Sequence, residues 1–200
     1  DPTRMSVNAD GDTALSLAVE NGCVESFLCL IKYQDWESIV DEMLQVAITY
    51  DQLRVVKAMI PYINEKKPLH KALRLAAQMG RVNILRALSR FIPSDLIVDE
   101  GNQRTLFHIA AMFDQVDVLR YLDLICSSDA IVAKDNCGNT QLHFATGIGM
   151  CSFNAFKFIV DTYPQLLSIA NNDDFAPLMA ALHHRNGPVI HYLLDRYPEC

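Results

Sequence analysis

The chain is short of the residues that break or decorate regular structure. Only 8 Gly and 8 Pro occur in 200 residues, which excludes collagen-like and Pro-rich low-complexity sequence. Positive charge is scarce too: 17 Lys and Arg against 24 Asp and Glu leave a net charge of −7. A sequence-independent nucleic-acid binder needs a basic surface to displace counterions from phosphates, so that class is set aside, and a polybasic membrane patch with it. Within these 200 residues no apolar run approaches the ~18 residues of a bilayer span and no signal-peptide pattern occurs; a targeting or membrane segment outside them stays open. There is no N-x-[ST] step and no C-x-x-C pair. What the chain does have is core material: 50% of its residues are apolar and 20% charged, the composition of a folded, mildly acidic globular protein.

Six cysteines are present: Cys23, Cys29, Cys126, Cys137, Cys151 and Cys200. Four sit in or beside apolar runs, such as Cys29 in Phe27-Leu28-Cys29-Leu30-Ile31. They are expected to be free, buried thiols in a reducing, cytoplasmic setting.

Internal repetition is the main signal. A bulky residue followed by Ala three positions later ends at Ala18, Ala47, Ala76, Ala110, Ala145 and Ala181, at spacings of 29, 29, 34, 35 and 36 residues. Four residues after each Ala stands Gly22, Asp51, Gly80, Asp114, Gly149 or Arg185. Gly or Asp there suits a helix end that needs a left-handed residue. A second amphipathic pattern follows, as in Val82, Ile84, Leu85 and Leu88. Each unit reads helix, tight turn, helix, loop. The small Ala lets the next unit approach, and the units must stack to bury their apolar faces. The expected fold is an all-α solenoid of about six repeats spanning residues 1–200, with short hairpin loops.

The strings Gly11-Asp12-Thr13-Ala14-Leu15-Ser16-Leu17-Ala18, Thr105-Leu106-Phe107-His108-Ile109-Ala110-Ala111 and Gly138-Asn139-Thr140-Gln141-Leu142-His143-Phe144-Ala145 resemble the G-x-T-P-L-H-x-A-A segment of ankyrin repeats. Ala176-Pro177-Leu178-Met179-Ala180-Ala181 is a weaker copy. Repeats two and three lack the signature, and their spacing leaves little room for a projecting finger. Pro68-Leu69-His70 imitates the motif four residues out of phase, so the phase is kept on Ala76 and Gly80. Gly101 stands four residues before Thr105 rather than two, which lengthens the fourth finger. Tyr163-Pro164 and Tyr197-Pro198 are similar to the repeat ends of plant ankyrin proteins that carry a membrane region; a pathogen effector or an animal scaffold is the alternative.

No catalytic, cofactor or metal site is expected. The resemblance implies that the rings of His108 and His143 hydrogen-bond neighbouring loop backbone. His183 and His184 point about 100° apart on one helix, and no further ligand stands at metal spacing. No nucleophile elbow or phosphate-binding glycine motif occurs.

The resemblance also implies where a partner would lie: against the loops and the two first-helix residues before each turn. These read Glu20-Asn21, Thr49-Tyr50, Gln78-Met79, Met112-Phe113, Gly147-Ile148 and His183-His184. Tyr50, Gln78, Met79, Met112, Phe113, Ile148, His183 and His184 are the candidate contacts, with Asp12, Asn139 and Phe175 as a loop rim. Met and aromatics are what interfaces enrich; the alternative is that neighbouring fingers cover them. The expected function is a non-catalytic scaffold or signalling module that binds a protein or peptide through its concave face. The alternative is a regulatory segment of a larger membrane protein or enzyme, its active part beyond Cys200. The missing initiator Met and the apolar last helix suggest an excerpt of a longer chain.

Overall fold

The structure, a computed structural model, describes residues 12–33, 35–63, 69–92, 97–99, 101–126, 128–147 and 153–197. The chain divides into two compact units, residues 1–76 with 83–92 and residues 77–82 with 93–200.

One piece recurs throughout: a first helix, one left-handed residue, and a second helix. In the first unit α1 (Ala14–Glu20) and α2 (Val24–Leu30) are followed by α3 (Trp36–Thr49) and α4 (Leu53–Met59). α5 (His70–Gln78) and α6 (Val82–Ala87) come next. Thr13 starts α1 because its side-chain oxygen accepts the Ser16 N–H at 3.0 Å while the Ser16 hydroxyl oxygen accepts the Thr13 N–H at 2.9 Å. The turns fall at Gly22 (φ 70°), Asp51 (56°), Gly80 (70°), Asp114 (57°) and Arg185 (55°), five of the six expected positions. Gly takes that conformation without cost and Asp tolerates it; Arg185 has neither advantage. The sixth expected turn, Gly149, lies outside the described residues, and Gly147 carries a positive φ of 138° instead. All six anchor alanines are buried.

In the first unit α1 packs on α3 and α2 on α4. α3 runs for 14 residues and takes up sequence that forms a finger elsewhere. Its first turn is held by Trp36, whose Nε1 donates to the Tyr62 carbonyl at 2.9 Å and whose ring meets Phe27 edge-on at 5.7 Å. α5 starts at His70, so Leu69 and His70 open the helix without setting its phase, Pro68 lying outside the described residues; Ala76 is fully buried and Gly80 makes the turn.

The second unit holds β1 (Ile97–Asp99), β2 (Arg104–Thr105), α7 (Leu106–Met112), α8 (Val116–Ile125), α9 (Ser128–Ile131), α10 (Gln141–Ala145), α11 (Phe153–Thr162), α12 (Pro177–His183) and α13 (Gly187–Arg196). First helices stack α7 on α10 on α12, and second helices stack α8 on α11 on α13. The protein is therefore an all-α helical repeat, with one small antiparallel pair, β1 and β2, in the lengthened finger. Among the described residues no helix is long and apolar enough to cross a membrane.

The cysteines depart from expectation. Cys23, Cys29 and Cys137 are exposed and Cys126 is partly buried, all as free thiols; Cys151 and Cys200 lie outside the described residues. Cys29 follows the buried Phe27 by two positions, and residues two apart do not share a helix face. Burial, with Asp123 nearby, pushes the Cys126 thiol up to about 11.

Candidate functional site

The loops of the second unit are tied to one another before anything binds them. Asp135 Oδ1 accepts the Cys137 and Asn139 N–H groups at 2.9 and 2.8 Å, and Asn171 Oδ1 accepts those of Asp173 and Phe175 at 3.0 Å each. These are side-chain-closed turns. A ladder of amides then joins finger to finger. Asn136 Nδ2 donates to the Gly101 carbonyl at 2.9 Å, and Asn172 Nδ2 donates to the Asn136 carbonyl at 3.0 Å.

Two histidines fasten each finger to the first helix behind it. His108 Nε2 lies 3.0 Å from the Asn139 carbonyl, and His143 Nε2 lies 2.9 Å from that of Phe175. A carbonyl only accepts, so Nε2 carries the proton in both rings. Nδ1 then accepts the N–H of Thr105 or Thr140, at 3.0 and 3.2 Å. Burial favours the neutral ring, lowering His108 to about 4 and His143 in the same direction.

Side-chain amides also stitch one turn to the next. At three turns the residue after the left-handed position reaches back to the end of the preceding first helix. Gln52 Nε2 donates to the Glu20 carbonyl at 2.5 Å, Gln115 Nε2 to Gln78 at 3.0 Å, and Asn186 Nδ2 to Thr146 at 3.0 Å. Asp114 adds a different tie: its carboxylate accepts from Asn154 Nδ2 at 2.8 Å and from the Ala155 N–H at 2.6 Å.

This frame presents the expected contact residues. In the first unit Tyr50 is half-exposed at the end of α3, and Asp12 is partly buried ahead of Thr13. The Glu20 carboxylate, hydrogen-bonded to the Tyr50 phenol, raises its pKa. In the second unit Gln78, Met79, Met112 and Phe113 are all partly buried beside their turns, whereas Ala110 and Ala111 behind them are fully buried. His183 and His184 are exposed, with ring centroids 5.0 Å apart, and the Phe175 ring lies 5.7 Å from His183. Burial, then His183, lowers the His184 pKa. Gly147 lies against His184: a Cβ there would stand 2.8 Å from the His184 Cβ. Ile148 lies outside the described residues.

Asn139 does not form part of an exposed rim. It is 7% exposed; its carbonyl meets His108 and its Oδ1 accepts from Asn171 Nδ2 at 2.9 Å. A loop asparagine that reads as solvated is here spent on holding two fingers together. The sequence reading also passed over Met179 and Leu182, apolar residues of α12 that are 49% and 48% exposed. They sit inside the helix motif, where spacing alone assigns them to the core. Among the described residues no cluster of three or more His, Cys, Asp or Glu side chains could hold a metal ion.

Comparison with known proteins fits this geometry. Residues 107–200 match the family model of ankyrin repeats, in three copies. No curated protein matches the chain in sequence. A solved chain from the complex of a predatory endopeptidase of Bdellovibrio bacteriovorus with an immunity protein is similar in fold. Its TM-score is 0.70 at 18% identity, over 96% of this chain and 100% of that one.

Proposed function

We propose that this protein is a non-catalytic interaction module whose first-helix ends and fingers receive a partner protein or peptide. The observation that carries the reading is the row of partly buried apolar residues, Met79, Met112 and Phe113, with His183 and His184 exposed in the same unit. Their side chains stand beside turns already fixed by Gln115, Asp114 and Asn186, so a partner meets a surface whose ordering cost has been met in folding. Ankyrin repeats, which residues 107–200 match, generally mediate protein–protein interaction, and the similar fold described above comes from a complex of two proteins.

A photo-crosslinking residue placed in turn at Phe113, at His183 and at exposed Asp117 on α8 tests this in an extract of the source cells. Adducts with the same protein from the first two positions, and none from Asp117, are expected. Adducts from Asp117 alone, or equally from all three, would move the partner to the second-helix face.

A further inference from the structure

α12 and α13 show what a stacking face looks like before it is covered. Met179 occupies the place of His143 two residues before the anchor alanine, and Leu182 the place of Thr146 just after it. Leu194 matches Val160, counted back from Tyr197-Pro198 and Tyr163-Pro164. In the preceding repeat all three places are sealed: His143, Thr146 and Val160 are 0% exposed. In the last repeat Met179, Leu182 and Leu194 are 49%, 48% and 53% exposed. Met179 and Leu182 lie on α12 and Leu194 on α13, the two helices of one packed pair.

A polar contact accompanies these. Asp161, two residues before Tyr163, accepts the hydroxyl of Tyr192 in the next repeat at 2.6 Å. Asp195 occupies the same place and is exposed. The backbone leaves both helices alike. Tyr163 has φ −133° and ψ 64°, Tyr197 has φ −134° and ψ 65°, and each N–H donates at 2.7 Å to the carbonyl four residues back. At Tyr163 that geometry leads through the 3-10 turn Pro164–Ser168, with Leu166 and Leu167 buried, into the next repeat.

We infer that the α12–α13 face is the docking surface of one further helix–turn–helix repeat, entered from Tyr197 in the same chain, carrying a tyrosine hydroxyl for Asp195. It continues the α10–α12 and α11–α13 interface with the same kinds of contact.

The test duplicates residues 164–197 directly after Tyr197, so that a copy of Pro164 replaces Pro198. The expected result is a single unfolding transition with its midpoint raised by about 5 °C. Amide hydrogen exchange in α12 should slow by about tenfold. Leu182→Asp in the first copy should abolish both gains, yet move the midpoint of the unduplicated chain by no more than about 1 °C, because Leu182 is already half in water. Two separate transitions with α12 exchange unchanged would overturn the proposal, as would an equal loss from Leu182→Asp in both chains. A concentration-dependent dimer of the unduplicated chain that Leu182→Asp dissolves would assign the face to a second copy instead.

Discussion

Gln115 closes the turn that Gly80 makes. Its Nε2 donates to the Gln78 carbonyl at 3.0 Å, and its Oε1 lies where a Cβ on residue 80 would have to stand. Gly22 and Gln52 share the relationship in the first unit. The glycine is thus required twice over, by its φ of 70° and by the amide of the following repeat. Gly80→Ala should cost about 2 kcal/mol, part from the left-handed backbone and part from displacing the amide. Adding Gln115→Ala should leave the double variant less destabilised than the two single losses sum to, because the clash is gone. Urea unfolding of the three variants checks this; strict additivity would show that Gln115 does not enforce the glycine.

Acid should loosen the fingers. His108 titrates near 4 when folded and near the ordinary 6.5 when unfolded, so the unfolded chain binds more protons between those values. The stability from its neutral ring is whole above pH 6.5 and is lost as pH falls towards 4. The loss at pH 5 is about 2 kcal/mol from this residue, and His143 acts in the same direction. Unfolding free energies at pH 7.5 and 5 measure the slope, and His108→Gln should flatten it.

Ala110 is fully buried on α7, which packs against α10. Ala110→Leu should cost roughly 1–3 kcal/mol by overpacking that contact. A thermal melt indistinguishable from the parent would mean that the repeats approach one another through some other residue.

Phe113 is partly buried at the end of α7, so a charge there should be tolerated by the fold but not by a partner. Phe113→Asp should cost about 1 kcal/mol or less in stability and more than ~2 kcal/mol in partner affinity. Far-ultraviolet dichroism and affinity for the crosslinked partner, measured on one preparation, separate the effects. Unfolding of the variant would make Phe113 a core residue.

The fold was largely legible because its signals are local. The spacing from each anchor alanine to a left-handed residue can be counted along the chain, and five of six turns fall where counted. α3 was not legible in its length, since nothing in Trp36-Glu37-Ser38 says that a helix will replace a finger. The candidate site was half legible. Met79, Met112 and Phe113 stand beside their turns as the motif implies, but partial burial rather than full exposure depends on neighbours distant in sequence. Asn139 and Cys29 read the wrong way for opposite reasons. A polar loop residue is buried because another repeat satisfies it, and a thiol amid apolar residues is exposed because its helix turns it outward.

The amide of Asn186 also bears on how the protein ages. An Asn followed by Gly loses ammonia when the glycine nitrogen attacks the side-chain amide, and the chain has two such steps, Asn21-Gly22 and Asn186-Gly187. Asn186 is 3% exposed; its Nδ2 is held by Thr146, its Oδ1 by the Val189 N–H, and the Gly187 N–H is turned to the Arg185 carbonyl. Asn21 is exposed, its side chain tied by the Leu17 carbonyl alone. In stored protein isoaspartate therefore accumulates first at residue 21, in the turn of the first repeat, while the turn of the last keeps its chemistry for as long as it stays folded.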